Sequence, residues 1–228
     1  DITTRNITCL DGLSDWESLL TFGKEIEANT NVNVNVNETF TTKMNLALAK
    51  ASLNLGEWDN LKHYTSKIKP EEDEDIYETN FFSAVLEIKE KNYTKAQEYI
   101  NKARNAIDEK IKTLLTESYQ RAYKLLISNE QLYELEEIIT LYTKTSHDDI
   151  RTRSELLRKR WDERLEISDK DIKNYERTLA IRGLLFRLDE DYETHLKLAK
   201  ICRRENMYTT CMIVLNRLSK HLEHCDTN

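Results

Sequence analysis

Five cations, Lys102, Arg104, Arg121, Lys124 and Lys144, are the residues whose type and placement best fit a binding chemistry. They come from neighbouring predicted helices and are expected to converge on one concave face. Several cations close together can hold an anion, and arginine adds a two-pronged geometry that matches the oxygens of an oxyanion. The competing reading is ordinary surface charge with acidic partners one helical turn away, as for Glu117 and Arg121. A second basic run, Arg151, Arg153, Arg158, Lys159, Arg160 and Arg164, is interleaved with Glu155, Asp162 and Glu163. Mixed sign on one helix reads as a salt-bridged outer face, with Trp161 as a core residue rather than a stacking platform.

Other chemistries find little support. His221 and Cys225 share a helix face at i, i+4 and could supply two zinc ligands, but only the scattered His63, His147 and His195 remain to complete a site. That segment reads instead as a helix end with cations near its C-terminal dipole, and no metal is expected. Phosphoryl transfer needs a glycine-rich loop, a His-Arg-Asp base and an Asp-Phe-Gly metal ligand. None is present; Gly12, Gly23, Gly56 and Gly183 are isolated. A P-loop, a nucleophile elbow and a His-Glu-x-x-His pair are also missing, so no catalytic residue is assigned.

The bulk numbers narrow the class further. Among 228 residues there are four Gly and one Pro (Pro70), which argues against a β-rich fold. The net charge of −7 disfavours a general nucleic-acid binder. No apolar run is long enough to cross a membrane. The N-terminus, Asp1-Ile2-Thr3-Thr4-Arg5, has neither signal- nor transit-peptide character and lacks an initiator Met, so a segment of a longer protein is expected. Four scattered cysteines (Cys9, Cys202, Cys211, Cys225) make no disulfide framework. The sequons at Asn6, Asn37 and Asn92 read as chance matches, and a reducing compartment, cytoplasm or nucleus, is expected.

The elements that carry these residues announce themselves by repetition. Trp16, Trp58, Tyr93, Tyr133 and Tyr208 recur at spacings of 42, 35, 40 and 75 residues, each followed six residues later by Phe22, Tyr64, Tyr99, Ile139 or Val214. Repetition at that period is the signature of an all-α solenoid of tetratricopeptide- or HEAT-like helix pairs. The aromatic is expected at the start of the second helix of each pair, in a packing position, with Trp161 as a further one. Ser14 to Glu17 and Thr94 to Gln97 read as capping boxes, with Ser168 to Asp171 a weaker third. Tyr119 to Leu126 and Leu132 to Tyr142 are predicted as one helix pair, and Ile172 to Phe186 as one helix. The chain is expected to divide into tetratricopeptide-like pairs over 1–146, with a low-complexity inserted loop at 29–38, and longer HEAT-like pairs over 147–228. Pro70 and the acidic run after it read as a loop.

Six stretches, taken in order, carry a resemblance. They are Leu55-Gly56-Glu57-Trp58-Asp59 with Tyr64-Thr65; Lys102-Ala103-Arg104; Glu117-Ser118-Tyr119-Gln120-Arg121-Ala122-Tyr123; Glu134-Leu135-Glu136-Glu137-Ile138-Ile139; Trp161-Asp162-Glu163-Arg164-Leu165; and Leu196-Lys197-Leu198-Ala199-Lys200-Ile201-Cys202-Arg203. From roughly Trp16 to Leu218 the chain resembles the FAT domain of target-of-rapamycin (TOR) kinases, within the phosphatidylinositol-3-kinase-related kinases. Two departures stand out: the Asn/Val run has no counterpart, and Trp161-Asp162 replaces an expected tryptophan pair.

The resemblance implies a C-shaped helical solenoid that clamps and regulates a serine/threonine kinase domain in nutrient and growth signalling, without catalysing anything itself. It implies that kinase domain and other TOR-complex subunits as partners. It also implies a cytoplasmic location, including endomembrane surfaces reached through those partners. Inositol hexakisphosphate would be held by Lys and Arg such as the five cations above. The rival expectation is a stand-alone tetratricopeptide-like adaptor that binds an extended peptide, which calls for capping repeats with polar outer faces at both ends.

Overall fold

Four of the repeat aromatics mark helix starts because of the turn that precedes them. In the computed structural model, Trp16, Trp58, Tyr93 and Tyr208 are each the first residue of a helix. Two residues before each lies a left-handed backbone: Ser14 (φ 55°), Gly56 (φ 73°), Lys91 (φ 63°) and Asn206 (φ 60°). At the last three the hydrogen bonds repeat. The Glu57 N–H donates to the Ser52 carbonyl at 2.9 Å and the Gly56 N–H to Leu53 at 3.1 Å. Asn92 and Lys91 do the same to Glu87 and Ile88 at 2.8 and 3.0 Å, and Met207 and Asn206 to Cys202 and Arg203 at 2.8 and 3.3 Å. This left-handed closure satisfies the last carbonyls of one helix and turns the chain sharply into the next.

The described residues are 2–30, 38–145, 149–168 and 170–225, and among them the fold is all-α. The helices are α1 (Ile2–Gly12), α2 (Trp16–Thr30), α3 (Glu38–Leu55), α4 (Trp58–Lys67), α5 (Asp73–Lys89), α6 (Tyr93–Glu117), α7 (Tyr119–Lys144), α8 (Ile150–Ile167), α9 (Ile172–Arg182), α10 (Tyr192–Arg204) and α11 (Tyr208–Cys225). Residues 31–37, central to the expected inserted loop and including the Asn37 sequon, lie outside the described residues, as do His147 and Asp169.

Two compact units emerge. One comprises residues 1–12 and 16–139, the other 13–15 and 140–228, so the division falls inside α7. In the first, each helix from α1 to α6 packs on the next, and α1 with α3 and α3 with α5 also touch. That nearest-neighbour pattern is the solenoid arrangement. Its core is formed by Leu19, Leu48, Leu61, Tyr64, Phe81, Phe82, Ile100, Leu132 and Leu135, all essentially inaccessible. Gly23 allows α2 to approach α3: a Cβ there would collide with the side chain of the fully buried Leu48. In the second unit Leu165, Ile172, Tyr175, Leu179, Leu198, Cys202 and Cys211 form one cluster, with Met207 and Val214 against it. Also in this unit, the Ser14 hydroxyl donates to Glu176 at 2.8 Å and the Thr210 hydroxyl to the Leu13 carbonyl at 2.7 Å.

Several expectations are corrected. The predicted pair at 119–142 is one continuous helix, α7. Nothing between Leu126 and Leu132 stops it, because the Ser128 hydroxyl folds back to the Lys124 carbonyl and Asn129 is occupied by Arg104. Tyr133 therefore sits mid-helix and 48% exposed, and Tyr208, though at a helix start, is 61% exposed. Neither has the burial that the repeat spacing predicts. Trp16 and Trp161 are buried, while Trp58 and Tyr93 are half-buried. The capping boxes do not form: Ser14 bonds Glu176, and α6 begins a residue before Thr94, leaving Gln97 to reach Glu136 at 2.7 Å. Ser168 instead ends α8, its hydroxyl donating to the Leu165 carbonyl at 3.1 Å. The acidic run after Pro70 is partly helical, since Asp73, Glu74 and Asp75 form the first turn of α5, where the helix dipole favours them. Phe186 lies beyond the end of α9, with its ring edge-on to Trp161 at 6.1 Å.

Candidate ligand cleft along α5, α6 and α7

The long helices α6 and α7 are tied at mid-length by one charged brace. Arg104 presents Nη1 and Nη2 to the two oxygens of Glu136 at 3.0 and 2.8 Å, and its Nε donates to Asn129 Oδ1 at 3.1 Å. Gln97 donates to Glu136 as well. Burial pushes the Glu136 carboxyl up, yet the Arg104 and Gln97 hydrogen bonds together hold it below the usual carboxylate range. The same contact raises the Arg104 guanidinium. A two-pronged pair of this kind is the strong form of the ion pair. Arg104 is thus matched by a carboxylate of its own chain.

Toward the C-terminal half of α6 the helices open into a cleft of about 650 Å³. Its lining includes Tyr77, Ile107, Leu114 and Leu125 as apolar surface, Lys110, Arg121 and Lys124 as cations, and Glu74 and Glu78 as carboxylates. Tyr77 is buried and its hydroxyl donates to the Ser128 carbonyl at 3.2 Å, which fixes the wall between α5 and α7. Lys110 lies 3.4 Å from Asp73, and Arg121 lies 3.5 Å from Glu117, both pairs solvent-exposed. A smaller cleft of about 370 Å³, lined by Ile7, Phe40, Met44 and Ala47 among others, lies between α1 and α3.

Of the five cations singled out in the sequence, Arg121 and Lys124 thus come together. Lys102 sits on its own helix with Nζ 5.1 Å from the Tyr99 ring centre. Lys144 is exposed in the last turn of α7 and belongs to the second unit. Lys110 was missed, although its place three residues after Ile107 and four before Leu114 puts it on their face of α6.

In the second basic run Arg151 pairs with Glu155 at 3.7 Å, as a salt-bridged outer face would have it. Arg158, however, donates to the Glu190 carbonyl at 2.8 Å. Trp161 is fully buried beneath Arg182, whose guanidinium carbon is 5.7 Å from the ring centre and which donates to Asp162 at 2.6 Å. Arg182 is 1% exposed and drew no attention in the sequence, because its partner lies on another helix. Among the described residues no group of three His, Cys, Asp or Glu side chains is close enough to hold a metal ion. The side chains of His221 to Cys225 lie outside the described residues. No described helix is long and apolar enough to cross a membrane.

Comparison with known proteins gives the family. A family model of the FAT domain matches residues 45–226. The serine/threonine-protein kinase TOR of Arabidopsis thaliana is 29% identical over 96% of this chain. TOR2 of Saccharomyces cerevisiae is 30% identical over 78%, and mTor of Drosophila melanogaster 28% over 87%. The chain spans 9%, 7% and 7% of the lengths of these three relatives. It belongs to the FAT-domain family, and the relatives it is similar to are target-of-rapamycin kinases.

Proposed function

We propose that this segment is a non-catalytic scaffold of a TOR-type serine/threonine kinase, which braces and regulates the kinase domain of its own polypeptide. The observation that carries the reading is the FAT-domain match over residues 45–226, whose first helices, α3 to α6, form a run in which each neighbouring pair is packed together. Left-handed turns at Gly56, Lys91 and Asn206 and the Arg104–Glu136 brace tie neighbouring helices together, so a displacement of one helix is passed to the helix it is tied to. Strain applied at one end then biases how open the catalytic cleft is at the other. The partners are that kinase domain and further subunits of a TOR complex, and the work is done in nutrient and growth signalling in the cytoplasm.

Inositol hexakisphosphate, the ligand implied by the resemblance, would draw on Arg121 and Lys124, with Arg104 already matched by Glu136. The scaffold reading does not depend on that ligand. Its test is the coding sequence of the parent transcript beyond Asn228. Further helices followed by a glycine-rich loop, a His-Arg-Asp loop and an Asp-Phe-Gly motif support it. A stop codon soon after Asn228 overturns it and leaves a stand-alone adaptor as the better account.

A further inference from the structure

We propose that the cleft along α5, α6 and α7 is a docking groove for a short amphipathic helix of a protein partner, one whose apolar stripe is bordered by carboxylates. The proposal stands apart from the scaffold reading and rests on the composition and length of the cleft. Its accessible apolar surface comes from the half-buried Leu114 of α6 and Leu125 of α7, set over the buried Tyr77 of α5 and Ile107 of α6. Beside it, at the turn from α6 to α7, Leu115 and Tyr119 are 48% and 67% exposed. Apolar side chains of a partner helix gain by burial against such a surface, as in other helix-in-groove recognition.

The charges decide what borders that stripe. Arg121 and Lys124 stand exposed on α7, one helical turn apart, in a chain whose net charge is −7. The Lys124 ammonium lines the cleft, and Glu117, 3.5 Å from Arg121, is itself exposed. On the opposite side α5 contributes Glu74 and Glu78, while Lys110 of α6 is already balanced by Asp73. A compact polyphosphate carries negative charge on every side, so it would face those two carboxylates as well as the cations, and it would leave the apolar surface unused. A helix can direct its carboxylates to α7 alone and set its apolar stripe on the floor.

Length agrees with this. Ile107 to Leu114 is about two helical turns, roughly 10 Å, enough to seat two or three anchor side chains spaced i, i+4, i+7. The volume of about 650 Å³ accommodates that many side chains.

The test uses this chain and a fluorescein-labelled synthetic helix of about 14 residues, with leucines at i, i+4 and i+7 and glutamates along one flank of that stripe only. Anisotropy is read against the wild-type chain, against the double variant Arg121→Glu with Lys124→Glu, and against Lys102→Glu, which lies outside the cleft. All three substituted side chains are exposed, and circular dichroism melts verify that the variants fold. Saturable binding is expected, weakened about tenfold or more by the double variant and by exchanging the peptide glutamates for lysines, and unchanged by Lys102→Glu. Absence of saturable binding, or equal binding by the double variant, overturns the proposal. So does binding of inositol hexakisphosphate that depends on Arg121 and Lys124 while the peptide fails to bind, which would assign the cleft to a polyphosphate.

Discussion

Replacing Gly56 and Lys91 should shift stability in opposite directions, although the two residues hold equivalent turns. Both have a left-handed backbone, at φ 73° and 63°, two residues before a helix-starting aromatic. A Cβ at Gly56 would meet nothing within 4 Å, so Gly56→Ala carries no steric collision and its effect is conformational. The left-handed region costs a non-glycine residue about 1–2 kcal/mol, offset by about 0.4–1 kcal/mol because alanine restricts the unfolded chain. A net loss of about 1 kcal/mol follows for Gly56→Ala. Lys91 is exposed, and its backbone already bears that cost. Lys91→Gly recovers it and pays back the unfolded-state entropy, for a net gain of about 0.5–1 kcal/mol. Urea melts of the two variants read both effects as midpoint shifts of opposite sign with unchanged slope. A Gly56→Ala midpoint equal to the wild type, or a Lys91→Gly midpoint below it, would refute the reasoning.

Three further outcomes are expected. Trp58→Ala should cost about 2 kcal/mol, less than the 3–5 kcal/mol of a fully buried large residue, because Trp58 is half-buried with Lys89 Nζ 4.6 Å from its ring centre; denaturant melts measure it. His195 is kept below the usual histidine pKa of 6.5 by burial, which outweighs its backbone contact to Asp191, and Arg217 and Arg182 act in the same sense as burial. The unfolded chain therefore takes up the proton first, so this stability is present above pH 6.5 and is lost as pH falls below it. Melts between about pH 7.5 and 5.5 should show that loss in the wild type and a shallower one in His195→Gln. Finally, Cys9 is exposed, whereas Cys202 and Cys211 are buried and burial pushes the Cys202 thiol up to about 11. A thiol reagent should label Cys9 at once and reach Cys202 and Cys211 only on denaturation, as mass spectrometry of the labelled peptides will show.

The sequence carried the helices far better than the turns and the surface. Stripes such as Met44, Ala47, Leu48, Ala51 and Leu55 specify a helix and its buried face by spacing alone. The shared left-handed turn was legible only at Gly56, because Ser14, Lys91 and Asn206 occupy the same conformation without the residue type that signals it. The break expected between Leu126 and Leu132 does not form, and the polar side chains there, Ser128 and Asn129, are taken up by Lys124 and Arg104. Tyr133 and Tyr208 fit the repeat spacing yet stand exposed, since spacing sets which residues share a face but not which face a neighbouring helix covers. The cations follow the same logic. Arg104 finds its carboxylate 32 residues away on α7, a pairing that no local pattern encodes, whereas Lys110 shares a face with Ile107 and Leu114 and could have been read from α6.

The central proposal is that this helical array regulates a kinase domain on the same polypeptide, and the Arg104–Glu136 brace offers the most direct handle on it. Arg104→Gln in the full-length parent kinase breaks the two-pronged pair between α6 and α7 without touching any catalytic residue. The rate of phosphorylation of a peptide substrate should change by about twofold or more, with the variant still folded and the KM for ATP unchanged, because loosening one coupling element commonly alters regulation by about 0.5–2 kcal/mol. A folded Arg104→Gln kinase with wild-type rate and wild-type response to its regulators would contradict the account.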